Sequence, residues 1–252
     1  MHNLRMVLVE PAGALNVGAV ARVMQNMGLR HLVLVSPRCD WRGPQARLLA
    51  VRGAALLEQA QVVSSLAEAV AGCQRVLGTA GRLEGGDRPR VEPAAGLAWV
   101  LAAPQGALVF GREDRGLSNA ELRYCQQLLT IPTDPAYPSL NLAQAVAICS
   151  YELRRLWLQN AASGSQESTD LLNCAPVEAR TAFYQELEAL LLAAGYLHPH
   201  TAFRRMEKLR RLGDRLDPTV EEVSWLRGIV RQLRWALRSS SGATRRDEGT
   251  QN

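Results

Sequence analysis

The chain has 252 residues, a hydrophobic fraction of 47% and a net charge of +5, enough to bury a core and to hold one large domain or two unequal ones. No apolar run approaches the roughly 20 residues of a membrane span, and the first ten residues lack the basic region and small-residue cleavage site of a signal peptide, so a cytoplasmic protein with no membrane partner is expected. The five cysteines (Cys39, Cys73, Cys125, Cys149, Cys174) are odd in number and scattered without a C-x-x-C pair, which argues for reduced thiols rather than a disulfide framework or a zinc site.

Residues 4–9 (LRMVLV) form a short apolar run that predicts a buried strand. Residues 16–27 follow with helical spacing, Val17, Val20, Val23, Met24 and Met27 falling on one side and Gly28 acting as the stop. A second strand is expected at 31–35 (HLVLV), ended by Ser36-Pro37, then helices at 45–59 and 64–71. Strands are expected at 75–79 (RVLGT) and 107–110 (ALVF), followed by a short helix at 118–125 with Ser118 as N-cap and Glu121 three residues on. A last strand at 128–131 leads into a loop at 132–139 and a long helix at 140–159. Strands alternating with helices predict an α/β domain, residues 1–159, with a parallel sheet covered on both faces. Residues 160–176 are rich in Ser, Gly, Asn and Asp and read as a linker. Three helical stretches (178–194, 201–212 and 219–237) form a small helical extension over 177–238, and 239–252 is a polar tail expected to be disordered.

The charge is unevenly placed. Residues 201–238 hold ten basic and five acidic side chains, and the remainder is balanced at nineteen of each. A basic segment on a neutral protein suits a polyanionic partner, because phosphate contacts release counterions; a solvated helix face is the alternative.

The common nucleotide and metal signatures are missing. Residues 11–18 (PAGALNVG) follow a strand and open a helix but do not spell G-x-G-x-x-G, and no ribose-binding acid follows at the expected distance. There is no P-loop, no H-E-x-x-H and no metal-ligand cluster, so no metal is expected. What remains are three separated segments: Asn16-x-Gly18-x-x-x-Arg22; Phe110-Gly111-Arg112-Glu113-x-x-Gly116-Leu117; and Ile131-Pro132 followed by Ser139-Leu140-Asn141-Leu142-Ala143. In order and spacing they resemble the three motifs of the SPOUT 2′-O-methyltransferases, and within that family the chain is most similar to bacterial enzymes that methylate the ribose of nucleotide 32 in the tRNA anticodon loop. The similarity extends through the opening VLVE, the GTAGR segment and the YELRRLWL end of the long helix. It is looser over 208–212 and 226–228.

The resemblance implies a SPOUT-type sheet with a C-terminal trefoil knot, a rare exception to ordinary chain topology. It also implies a homodimer whose partner subunit helps complete the site, S-adenosylmethionine as cofactor and tRNA as substrate. Carried over in this way, Thr79, Ala80, Gly81, Gly111, Ile131, Pro138, Ser139, Leu140 and Asn141 would hold the cofactor, where small residues let backbone groups approach it. Arg22 would sit beside the reacting nucleotide. A guanidinium is a poor base, so its expected role is to grip the phosphate and lower the hydroxyl pKa, with proton removal by Arg22 itself the alternative. Asn16 would orient the ribose or the arginine, and Ser139 would contact the hydroxyl region or the cofactor. Glu113 would position an arginine or cap the following turn. Arg82, Arg112, Arg204, Arg205, Lys208, Arg210 and Arg211 would contact RNA, with Arg82 and Arg112 alternatively facing the partner subunit. Arg115 reads as a plain surface residue. Residues 83–91 depart from the apolar loop expected in close relatives. The alternatives are a 2′-O-methyltransferase of ribosomal or another RNA, and a non-catalytic RNA-binding dimer.

Overall fold

In the computed structural model, which describes residues 3–81, 90–163 and 173–247, the apolar runs become the centre of a seven-stranded sheet. Its strands are β1 (Leu4–Val9), β2 (His31–Val35), β3 (Gln61–Val63), β4 (Arg75–Thr79), β5 (Arg90–Val91), β6 (Gly106–Phe110) and β7 (Gln127–Leu129), in the order β3-β2-β1-β6-β4-β7-β5. Every pairing is parallel. β6 is buried at every position, and β1 at all but Arg5. Helices cover both of their faces, which is why they read as unbroken apolar runs rather than alternating ones.

The helices of this unit are α1 (Ala14–Met27), α2 (Pro44–Ala50), α3 (Ala54–Gln59), α4 (Leu66–Ala69), α5 (Pro93–Leu101), α6 (Asn119–Leu122) and α7 (Leu142–Ser163), with a 3-10 turn at Val51–Gly53 between α2 and α3. Gly28 ends α1 as expected. It adopts φ 76°, and the N–H groups of Gly28 and Leu29 donate to Gln25 and Met24, the left-handed stop that glycine accepts without strain. Gly18 has a different duty. A Cβ there would lie 2.1 Å from the Ala46 carbonyl oxygen, so the glycine of the first motif permits backbone contact between α1 and α2.

Three elements escape the sequence pattern. β3 and β5 are too short to show a period. α5 is apolar nearly all round because it packs on α7 and on strands β4, β6 and β7, and a helix buried on several sides loses its amphipathic signature. Boundaries also move, and the single helix expected at 45–59 is divided into α2 and α3 by the Val51–Gly53 turn. α7 continues to Ser163, so the first residues of the expected linker are helical; the rest of the linker up to residue 172 lies outside the described residues.

The chain divides into two compact units, Met1–Leu172 and Asn173–Asn252. The second holds α8 (Val177–Ala193), α9 (Pro199–Asp214) and α10 (Val220–Asp247). Tyr184, Leu197, Ala202 and Met206 form a small core. Thr219 and Glu222 cap α10 reciprocally, Glu222 N–H donating to Thr219 Oγ1 at 3.2 Å and Thr219 N–H to Glu222 Oε2 at 2.8 Å. The tail expected to be disordered from 239 is instead helical to Asp247. Once a long helix is nucleated, adding residues costs little, and the Ser239 hydroxyl is satisfied within the helix by donating to the Trp235 carbonyl at 3.1 Å. Residues 248–252 lie outside the described residues. No described helix is long and apolar enough to cross a membrane.

Candidate active site

β1, β6, β4 and β7 are neighbours in the parallel sheet, so their C-terminal ends deliver residues 10–13, 111–117, 79–81 and 130–141 to one edge, where open α/β sheets bind ligands. A cleft of about 230 Å³ opens there. Thr79, Ala80 and Gly81 line it from β4, Gly111 from β6, and Ile131, Pro138, Ser139 and Leu140 from the last loop. Phe110, Leu122, Leu129 and Leu142 supply apolar wall. Thr79 Oγ1 donates to the Val109 carbonyl at 3.1 Å and Ala80 N–H to the Leu129 carbonyl at 3.0 Å, which fixes the β4 end between its two neighbours.

The glycines of the cleft serve distinct ends. A Cβ on Gly111 would come within 2.3 Å of the Gly116 carbonyl carbon, so Gly111 lets the 112–116 turn fold back on β6. Gly116 closes that turn at φ 69°, its N–H donating to the Arg112 carbonyl at 2.9 Å. A Cβ on Gly81, by contrast, would have, among the described residues, only the Pro138 carbonyl oxygen near it, at 4.0 Å. That gap between two backbones, beside apolar walls and small residues, fits a flat heterocycle with polar edges such as the adenosyl part of S-adenosylmethionine.

One polar residue from each motif meets the others beside this cleft. Asn16 Nδ2 donates to Glu113 Oε1 at 3.1 Å, and Asn141 Nδ2 donates to Asn16 Oδ1 at 3.0 Å. Glu113 Oε2 also accepts from Ala12 N–H at 3.3 Å, and Asn141 Oδ1 accepts from Ala143 N–H at 2.9 Å, which caps α7. Glu113 therefore positions Asn16 and the loop before α1, rather than an arginine or its own turn. Asn141, expected to hold the cofactor, is not among the lining residues and instead ties the start of α7 to Asn16. Ser139 is exposed on the loop and lines the cleft. Arg22 is exposed on α1 and is not among the lining residues of its own cleft.

Arg112 departs from expectation. Its guanidinium is bound to both Asp114 oxygens at 2.8 and 2.6 Å and to Glu10 at 2.8 Å, leaving the side chain 19% exposed. The Asp114 hydrogen bonds raise the Arg112 pKa and lower that of Asp114, so this arginine is occupied in bracing the turn that carries Glu113. Glu10 also approaches Arg115 at 3.5 Å and Arg38 at 3.9 Å. Sequence reasoning missed Glu10, whose only signal was an acid at the end of a buried strand. It also took Arg115 for a plain surface residue. Cys39 lies near this cluster, and burial followed by the charges of Glu113 and Asp40 pushes its thiol pKa up, away from nucleophilic use. Among the described residues no group of three or more His, Cys, Asp or Glu side chains could hold a metal ion.

The expected RNA contacts of the second unit fare unequally. Arg204, Arg205 and Lys208 are exposed, and Arg205 donates to the Tyr196 carbonyl at 2.8 Å. Arg211 is half-buried. Arg210 is only 4% exposed and lies over the Tyr184 ring at 4.7 Å, where it belongs to the packing of this unit and not to an RNA-facing surface. Arg82 lies outside the described residues.

The SpoU rRNA Methylase family model matches residues 3–151, and the model of the tRNA methyltransferase TrmJ C-terminal domain matches residues 178–245. The tRNA (cytidine/uridine-2′-O-)-methyltransferase TrmJ of Escherichia coli (strain K12) is 39% identical over 236 residues, spanning 92% of this chain and 96% of that one. The crystal structure of TrmJ from Z. mobilis ZM4 superposes with a TM-score of 0.77 at 31% identity, covering 91% of this chain and 98% of that one. A structure described as giving insight into the 2-OH methylation of C/U34 on tRNA matches at 27% identity with a TM-score of 0.51, over 63% of this chain and 98% of its own.

Proposed function

The chain belongs to the SpoU methylase family, in the TrmJ group of tRNA 2′-O-methyltransferases, and from that premise we propose that it methylates the ribose of nucleotide 32, cytidine or uridine, in the tRNA anticodon loop. It is an S-adenosylmethionine-dependent enzyme, and the gap between the backbones of Gly81 and Pro138 suits that cofactor. The observation that carries the reading is the hydrogen-bonded chain Glu113–Asn16–Asn141, which joins the three motif segments at the cleft.

When bound, the cofactor supplies an electrophilic methyl group on a sulfonium. The protein must bring a ribose 2′-OH in line with it and manage the hydroxyl proton. Thr79, Ala80, Gly81, Gly111, Ile131, Pro138, Ser139 and Leu140 hold the cofactor, and Asn141 fixes the loop that carries the last three. Asn16 spends one N–H on Glu113 and accepts one from Asn141, so its second N–H remains to orient a ribose or phosphate oxygen. Arg22 grips the adjacent phosphate and favours the ionised hydroxyl electrostatically; a guanidinium holds its proton too tightly to serve as base. Ser139, exposed at the cleft, faces the hydroxyl region.

The same reading includes a homodimer in which Arg22 completes the partner's cleft. Its exposure away from its own cleft supports this, as do exposed Leu15 on α1 and Ile148 and Tyr151 on α7, two helices that pack together. A trefoil knot formed by the passage from β7 to α7, and a cytoplasmic location in keeping with five free cysteines, belong to it too. A second target, nucleotide 34, is raised by the C/U34 structure, but that chain is matched almost whole by the catalytic part of this one. The TrmJ-type extension at 178–245 therefore favours position 32. Purified protein incubated with S-adenosylmethionine and a tRNA transcript should place a 2′-O-methyl group at nucleotide 32, read by mass spectrometry of nuclease fragments; methylation confined to 34 or to ribosomal RNA would reject the assignment.

A further inference from the structure

The arginines of the C-terminal unit sort by what they touch. Arg210 lies over Tyr184, Arg180 is buried near Asp217, and Arg227 grips Glu186 with both carboxylate oxygens in contact. Arg231, Arg234 and Arg238 on α10 make no hydrogen bond or ion pair among the described residues. Gly228, Arg231, Trp235 and Arg238 follow one another at i, i+3, i+7 and i+10, the spacing of a single helix face. Trp235 is 64% exposed, and Arg231 and Arg238 beside it are exposed as well.

Gly228 is the telling position. Glycine inside a helix weakens it relative to alanine, and a fold normally keeps one where a neighbour crowds it. Among the described residues an added Cβ here would meet nothing within 4 Å, and the backbone is not left-handed. No described neighbour needs the glycine. The notch it leaves sits two turns from an exposed indole and one turn from the exposed Arg231, where an anionic polymer can approach the helix backbone closely.

We propose that this face of α10 is a platform for unpaired RNA: one base of the tRNA stacks on Trp235, the chain runs through the notch at Gly228, and Arg231 and Arg238 hold the flanking phosphates. Indole faces accept any base by stacking, while arginines follow the backbone. The inference rests on the tRNA methyltransferase reading and moves the decisive contact from the α9 arginines to α10. A neighbouring exposed row, Trp225, Ile229 and Leu233, is apolar without this interleaving of charge, so charge complementarity singles out the Gly228 face for RNA.

The test uses the full-length protein with a tRNA transcript, measuring binding, KM and turnover with thermal unfolding alongside. Trp235→Ala should weaken tRNA binding about tenfold, the scale of one lost base–aromatic stack, with turnover at saturating tRNA unchanged and with Trp235→Phe restoring most of the loss. Gly228→Leu should leave the unfolding temperature unchanged or raise it while still raising KM for tRNA several-fold, the opposite of what a structural glycine would do. Wild-type affinity in both Trp235→Ala and Gly228→Leu, with the parent still binding and methylating tRNA, overturns the platform and spares the enzyme assignment. A change of oligomeric state in these variants without RNA overturns it in favour of a contact between copies of the chain. A parent protein that neither binds nor methylates tRNA overturns both readings.

Discussion

Asn16, Glu113 and Asn141 in the N-terminal unit reach one another across 97 and 125 residues of sequence, and each is held by the others before any substrate arrives. On α10 of the C-terminal unit, Arg231, Arg234 and Arg238 are held by nothing comparable. The first arrangement is preorganisation: donors and acceptors are fixed where a reacting group must be oriented, so little reorganisation is left to the reaction. The second is a surface that keeps its charges available and leaves order to be imposed by a partner. Arg22 is the exception in the catalytic unit, an exposed cation beside a locked network, and this is the position expected of a side chain that meets its phosphate only in the complex.

On that contrast the largest effect belongs to Arg22. Arg22→Ala should lower methyl transfer a hundredfold or more, the scale of losing a fixed charge at a reacting centre. Cofactor binding measured by calorimetry should remain intact, because Arg22 does not line the cleft. A variant that binds S-adenosylmethionine and retains full transfer would remove Arg22 from the chemistry. In the extension the contrast is sharpened by two neighbours on α9. Arg210→Met should destabilise the chain by roughly 1–3 kcal/mol through lost contact with Tyr184. Lys208→Ala should leave stability within about 0.5 kcal/mol and reduce the salt dependence of tRNA binding by about one phosphate contact. Urea unfolding and binding at several salt concentrations separate the two, and equal effects on both would erase the distinction between buried and presented cations.

The distinction also shows what the sequence could tell. The central strands were legible because burial on both faces writes a continuous apolar run, as in LRMVLV and HLVLV. The cleft was legible because most of its lining falls in the second and third motifs and in the GTAGR segment, while the first motif supplies Asn16 beside it. α5 was hidden by burial on several sides, which erases helical periodicity, and β3 and β5 owe their pairing to neighbours distant in sequence. Charge was the least readable quantity. Arg112, Arg204 and Arg210 look alike as letters, yet one braces a turn through Asp114 and Glu10, one is exposed and one lies under 5% exposed against a tyrosine. Only the placement of a carboxylate or a ring decides which arginine can reach RNA. Gly18 carries the same lesson in reverse, since its place in the motif is explained by the Ala46 carbonyl, whose oxygen would lie 2.1 Å from any Cβ added there.

The smallest effect tests the contact that anchors α10 to α8. Hydrogen bonds from Arg227 hold Glu186 below the usual carboxylate range, against a modest opposing effect of burial, and Arg231 and Arg234 add to the lowering. A carboxylate depressed in the folded state contributes stability above its unfolded pKa of about 4.3, and that contribution is lost as pH falls through the lower folded value. The pair is partly exposed, 23% for Glu186 and 35% for Arg227, so its worth at neutral pH is on the order of 1 kcal/mol or less. Glu186→Gln should therefore lower the stability of the C-terminal unit slightly at pH 7 and flatten its fall below about pH 4.3, where the parent loses the charge that the variant never had. Parallel unfolding curves of parent and variant across that acid range would mean that Arg227 is as free as the arginines beyond it, and the division of α10 into an anchoring residue and a presenting face would fail.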